Sequence, residues 1–315
     1  MEVRDYNPPY FLFNKHLETI YPALFRKVSL PPFQRERINT PDDDFLDLDW
    51  LTTGSDKLVI ISHGLEGNSQ RPYMKGMAKV FFDNQYDVVS WNYRGCGEEM
   101  NRQLRFYHSG ATDDLDVVVK HAASKYKSIF LVGFSLGGNV TLKYLGEKGS
   151  DAGPVKGAAV FSVPLNLRSS CEKISTRENF IYHDRFLKSL KSKVIAKSKV
   201  NNGIDVTGIE KIRTLKEFDD RYTAPLHGFK DAITYYEACS SLYFLEDIRV
   251  PTLVVNAKND PFLSNDCYPG DIRNNHVQFE YLDHGGHVGF AMFNQNGLYW
   301  SEVRALSFAR EVAGW

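Results

Sequence analysis

The sequence predicts an α/β protein: a mostly parallel central sheet with helices wound over both of its faces. Three observations carry that prediction. Short apolar runs are continuous instead of alternating, as in strands buried on both faces. Helix-like stretches separate these runs, so strand and helix alternate along the chain. A serine flanked by glycines stands where one run passes into one helix-like stretch, a strand-turn-helix setting.

Taken in order, the strand-like runs are Leu58-Val59-Ile60-Ile61, Ile129-Phe130-Leu131-Val132, Ala158-Ala159-Val160-Phe161, Thr252-Leu253-Val254-Val255 and the stretch Val277 to Leu282. Helices are expected over Tyr73 to Phe82, Asp113 to Lys125 and Asn139 to Leu145. Thr112 is placed to cap the second of these, with Asp113 and Asp114 in its positively polarised first turn, so that acidic pair reads as capping and not as catalysis. After Pro164 the regular beat stops, and residues 165–248 are Lys- and Ser-rich with helical patches. They read as an inserted helical lid within a single domain spanning 1–315. Inside this segment Phe186, Leu187, Leu190 and Val194 share one helix face, with Lys188, Lys191, Lys193 and Lys197 distributed over the rest. The expected role of that face is packing on the domain, in preference to lying on a membrane.

Composition bounds the function. The chain has 315 residues, 43% of them hydrophobic, enough for a substantial core. With 38 Lys and Arg against 39 Asp and Glu, the net charge of -1 supplies no field to gather nucleic acid. Cys96, Cys171, Cys239 and Cys267 are too far apart for a local metal knuckle and too few for a disulfide scaffold, so four free thiols in a reducing compartment are expected. Met1 to Lys15 lacks the basic start and unbroken apolar core of a signal peptide, and no stretch approaches the roughly 20 apolar residues that cross a bilayer. A soluble, cytoplasmic protein is the expectation.

The chemistry centres on Gly133-Phe134-Ser135-Leu136-Gly137. A tight turn after the Ile129 to Val132 run lifts the Ser135 hydroxyl above the sheet edge, and Cβ atoms at the flanking glycines would clash there. The Leu136 amide, opening the next helix, can face a developing oxyanion. A serine hydroxyl needs a base, and the base needs an orienting acid. In this arrangement the order is serine, then Asp or Glu, then His. Asp260 follows the Leu253 to Ala257 run at the C-terminal end of a strand, where wound sheets place their sites, and is preferred over Asp266 and Asp283. His284 and His287 share one loop, and spacing alone leaves both open as the base. In His63-Gly64-Leu65-Glu66-Gly67-Asn68 the glycines permit close backbone approach, which makes the Leu65 amide the candidate second oxyanion donor, although the same glycines suit an ordinary tight turn. Tyr10-Phe11-Leu12-Phe13 and the lid are candidate walls of an acyl pocket, with packing against the domain the other reading of those aromatics.

Several long motifs in order resemble the YheT-like branch of the α/β-hydrolases, which also contains the mammalian abhydrolase-domain phospholipases and fungal medium-chain acyl ester hydrolases and synthases. They are Asn14 to Leu24, His63 to Ser69, Trp91 to Gly97, Gly133 to Asn139, Phe218-Asp219-Asp220 with Thr223-Ala224-Pro225 and Gly228-Phe229, Asn259 to Phe262, and Gly285 to Phe290. The resemblance implies a triad of Ser135, Asp260 and His287, which selects His287 over His284, with backbone donors at Leu65 and Leu136. It also implies acyl ester substrates, often lipid-like, and neither a metal nor an organic cofactor. Ester hydrolysis through an acyl-enzyme is expected, with acyl transfer to an alcohol or a non-catalytic binding role as alternatives. No nucleic acid partner is expected, and peripheral membrane contact is left open.

Overall fold

The computed structural model describes residues 6–270, 272–293 and 296–314. Its centre is an eight-stranded sheet ordered β1-β2-β4-β3-β5-β6-β7-β8. The strands are β1 (Gln34–Asn39), β2 (Phe45–Leu51), β3 (Lys57–Ser62), β4 (Asp87–Asn92), β5 (Ser128–Phe134), β6 (Val155–Phe161), β7 (Thr252–Ala257) and β8 (Val277–Leu282). β2 runs antiparallel to β1 and β4, and the pairs from β4 through β8 are parallel. This is the α/β-hydrolase arrangement.

The continuous apolar runs follow from helices on both sides. In β3, Leu58 and Ile60 enter one core cluster with α3 (Thr112–Ala123) and α4 (Leu136–Lys148), while Val59 and Ile61 enter the other with α2 (Pro72–Asp83) and the C-terminal helix Trp300–Ala313. β1, β2 and β4 escape a search for such runs. β2 alternates as Phe-Leu-Asp-Leu-Asp-Trp-Leu, and its acids are buried because Arg35 and Arg37 on β1 pair with Asp49 and Asp47.

One local expectation fails. Thr112 does not cap α3: the helix starts at Thr112 itself, behind Ala111, and has no side-chain cap. Asp113 and Asp114 still lie in the first turn, but Asp114 is buried against the Arg94 guanidinium at 2.7 Å and Asp113 pairs with Arg105 at 2.8 Å. Arg94 also meets Asp44, so the acidic residue types there answer a buried cation as well as a helix dipole.

Between β6 and β7 the chain is helical. It carries α5 (Leu167–Ile174), α6 (Phe180–Val200), α7 (Leu215–Phe218), α8 (Ala224–Leu226) and α9 (Ala232–Cys239); α10 is the C-terminal helix. α1 (Lys15–Phe25) precedes the sheet. On α6, Leu187 and Val194 pack with Ile204, Ile209 and Ile212 in a cluster of their own, joined by Phe186 and Leu190. Lys188 is exposed, but Lys197 is buried and Lys193 largely so: Lys193 meets Glu66, and Lys197 donates to Asn101 Oδ1 at 2.8 Å. Burial pushes the Lys197 ammonium down to about 8. The four cysteines are free thiols. Among the described residues no helix is long and apolar enough to cross a membrane.

Candidate active site

Ser135 sits between the end of β5 and the first residue of α4, with φ 52° and ψ -119°. A Cβ at Gly133 would lie 2.6 Å from the Gly137 carbonyl oxygen, and one at Gly137 would lie 2.5 Å from that of His63. Two side chains are thereby excluded, and the serine is forced into a left-handed turn that only a tightly packed frame holds. Its amide donates to the Phe161 carbonyl at 2.9 Å.

Opposite stands His287. Its Nε2 lies 2.9 Å from Ser135 Oγ, and its Nδ1 lies 2.8 Å from Asp260 Oδ2 and 3.1 Å from Oδ1. That network assigns the Nδ1–H tautomer, leaving the Nε2 lone pair for the serine hydroxyl. Asp260 is buried past the end of β7 and accepts a further bond from the Phe262 amide at 2.8 Å, while the Phe262 ring centres 4.1 Å from the imidazole. The competing residues are elsewhere. Asp283 pairs with Lys258, and Asp266 lies on a separate cleft beside Arg168 and Tyr243. His284 turns to Glu18, 3.1 Å away.

The His287 loop is held from a distance in sequence. Glu18 on α1, almost fully buried, accepts from the Gly285 amide at 2.6 Å, from Asn259 Nδ2 at 2.9 Å and from His284 Nδ1. Thr19 Oγ1 accepts from the His287 amide at 2.9 Å, Asn259 Oδ1 from that of Gly286 at 3.0 Å, and Ser162 Oγ from that of Val288 at 2.9 Å. Gly286, at φ 55°, has no room for a Cβ, which would approach Thr19 Oγ1 to 2.7 Å. Residue-by-residue reading misses all four supporting side chains, because a Glu or Thr on an amphipathic helix reads as surface. The Asn14 to Leu24 motif is the one signal that marks Glu18 and Thr19.

Leu65 lines the same cavity as Ser135, and Leu136 follows the serine as the first residue of α4. The Leu65 loop is hydrogen-bonded on several sides. His63 is buried with Nδ1–H donating to the Gly64 carbonyl at 2.8 Å, and its Nε2 accepts from the Tyr93 amide. Burial pushes its pKa down to about 3, so it stays neutral. Tyr73 OH accepts from the Gly64 amide at 3.0 Å. Glu66 latches the loop to α6 through Lys193 Nζ at 2.6 Å and Ser189 Oγ at 2.6 Å, with Tyr107 OH at 2.8 Å. Burial alone pushes the Glu66 carboxyl up, but these partners hold it below its ordinary value.

Ser135 and His287 face a cavity of about 320 Å³. Ile20, Ala23 and Leu24 of α1, Ile181, Tyr182 and Phe186 of α6, and Phe262 form its apolar wall. The stretch Tyr10 to Phe13 takes no part in it: Leu12 is buried in the domain, while Tyr10 and Phe13 are exposed.

A family model described as serine aminopeptidase, S33, matches residues 53–287. The Escherichia coli (strain K12) protein YheT, named as an esterase, is 34% identical over 288 residues, covering 88% of this chain and 84% of that protein. The chain belongs to the YheT-like α/β-hydrolases. It is thus a serine hydrolase of the esterase- and lipase-like kind. The phospholipase ABHD3 of Bos taurus is 28% identical over 90% of this α/β-hydrolase and 73% of its own length. The Pyrococcus furiosus esterase Pf2001 superposes over 92% of this chain and 96% of its own with a TM-score of 0.60 at 17% identity, a likeness of fold.

Proposed function

We propose that this α/β-hydrolase cleaves carboxylic esters of acyl, lipid-like character through an acyl-enzyme on Ser135. The observation that carries the reading is the hydrogen-bonded line from Ser135 through His287 to Asp260 at the edge of an apolar-walled cavity. Ser135 Oγ attacks the ester carbonyl carbon while His287 Nε2 takes its proton. The Leu65 and Leu136 amides stabilise the oxyanion, and Asp260 stabilises the imidazolium. The alcohol leaves with the proton from His287. Water, deprotonated by His287, then attacks the acyl carbon and frees the acid. Residues 165–248 act as the lid of a single domain, a role supported by the wall that α6 contributes. The free thiols fit a reducing, cytoplasmic setting.

An aminopeptidase must pair its substrate's ammonium with an uncommitted carboxylate. Among the described residues lining the cavity the one carboxylate is Glu66, and Lys193 already neutralises it, which favours esters over peptides. Acyl transfer to an alcohol is a second reading, favoured by the 28% identity to a Saccharomyces cerevisiae protein named as a medium-chain fatty acid ethyl ester synthase/esterase. The test is hydrolysis of p-nitrophenyl esters over a ladder of acyl lengths by wild type and Ser135→Ala. Turnover peaking at one length and falling at least about 10³-fold in the variant is expected; turnover that survives the substitution rejects Ser135 as nucleophile. Adding ethanol and analysing products separates free acid from transferred ester.

A further inference from the structure

A group of exposed large apolar side chains stands on the two helices that wall the Ser135 cavity. Leu24 and Phe25 on α1 are 62% and 64% exposed, and Phe180 and Ile181 at the start of α6 are 64% and 70% exposed. Leu24 and Ile181 also line the cavity, so apolar surface runs without a break from its wall to the outside of the molecule. The His16 ring stacked on Tyr182 at 5.7 Å ties the two helices together there, and the Lys15–Glu178 ion pair at 3.1 Å ties α1 to the turn that leads into α6. From Phe25 the patch continues through Tyr21, whose ring is 5.2 Å away, to Phe11, and on to Phe293, 5.7 Å from Phe11. Scattered apolar side chains on a surface need no explanation, but a contiguous aromatic patch marks a docking surface.

Charge selects the occupant. The acids beside the patch are already neutralised: Glu178 by Lys15 and Lys173, and Asp184 by Lys188. Arg177 and Arg185, which flank Phe180 and Ile181, and Lys27, just past Phe25, make no ion pair among the described residues. An apolar face rimmed by uncommitted cations matches an anionic lipid surface, where aromatic rings sit at the level of the headgroups. A rigid protein partner on the same face would cover the cavity mouth, whereas a fluid surface can pass an ester into it.

We propose that α1, the first turn of α6 and Phe293 form a face that docks on anionic lipid surfaces and presents ester substrate to the Ser135 cavity. The proposal rests on the ester-hydrolase reading for its purpose, but the docking itself is measured without turnover. The experiment is flotation with vesicles of phosphatidylglycerol or of phosphatidylcholine, using wild type, Ser135→Ala, and the pair Phe25→Glu/Phe180→Glu. Wild type and Ser135→Ala should float equally with phosphatidylglycerol, at least tenfold better than with phosphatidylcholine, and high salt should release both. The paired variant should lose at least tenfold in binding yet melt like wild type and hydrolyse a short, monomeric p-nitrophenyl ester within about twofold of it, since neither ring lines the cavity. Failure of wild type to float, equal flotation with both lipids, or undiminished flotation of the paired variant overturns the proposal. So does a dimer of wild type in sedimentation velocity that the paired variant abolishes, because a second copy would then own the face. If Ser135→Ala keeps full hydrolysis while flotation behaves as expected, the nucleophile assignment fails and the docking face stands.

Discussion

The turn that carries Ser135 and the loop that carries His287 are built by opposite means. Ser135 is held by its immediate neighbours, Gly133 and Gly137, whose missing side chains let β5, α4 and the His63 loop close on one another. His287 is held by side chains far away in sequence: Glu18 bonds the Gly285 amide across 267 residues, and Thr19 bonds His287 itself across 268. Steric exclusion among neighbours leaves a short, readable pattern, whereas a loop hung on distant carboxylate and hydroxyl groups leaves none beside the histidine itself. The Leu65 loop is intermediate, with a local turn anchored by Glu66 to α6.

The sharpest way to break this contrast is Gly137→Ala. The new Cβ would overlap the backbone carbonyl oxygens of Ser62 and His63, which no side-chain motion relieves, so a loss of about 3 kcal/mol is expected, together with activity. Urea unfolding checks it, and wild-type stability would show that the turn is not sterically locked. Glu66→Gln leaves Lys193 buried without a counter-charge and should also cost about 3 kcal/mol, with part of it recovered in Glu66→Gln/Lys193→Met. Because the folded Glu66 carboxyl lies below its ordinary value, its contribution is present above the unfolded pKa and lost as pH falls through the folded one. Urea midpoints of wild type and Glu66→Gln should therefore converge in acid.

Glu18→Gln keeps the shape of the His287 loop but removes the charge on which three donors converge. A fall in kcat of about tenfold, equivalent to about 1.4 kcal/mol, with KM unchanged is the expected result. A rise in KM alone would place Glu18 in substrate binding instead. A pH-dependent effect comes from His63. Its folded pKa of about 3 lies below the unfolded value, so the unfolded chain takes up a proton between roughly pH 6.5 and 3 that the folded chain refuses. Stability is present above that window and falls as pH drops through it, by about 1.4 kcal/mol per pH unit for one proton. The difference in urea midpoint between wild type and His63→Gln, followed from pH 7 to 5, isolates this contribution.

The same division runs through the fold. β3, β5, β6 and β7 were legible because helices on both faces require runs of apolar residues, and β8, at the sheet edge, through the apolar residues that alternate with Gln278 and Glu280. β1 and β2 were not, because the acids that interrupt β2 become acceptable only when Arg35 and Arg37 pair across the sheet. The lysines of α6 misled for the same reason: Lys193 and Lys197 look like a solvated face until Glu66 and Asn101 arrive from other elements. The cap expected at Thr112 gave way to a helix start dominated by the Arg94 and Arg105 ion pairs.

The sequence by itself determined the wound sheet, the serine on its strand-turn-helix junction, and an Asp at the end of a later strand as its candidate partner, since each depends on residues within about one turn or strand of one another. Between His284 and His287 the residues alone did not choose; resemblance to a family did. Only the tertiary structure decided that Glu18 and Thr19 brace the His287 loop, that Glu66 is spent on Lys193, and that an apolar face opens beside the cavity. Burial and pairing of a charge depend on what arrives from hundreds of residues away, and no local pattern encodes that arrival.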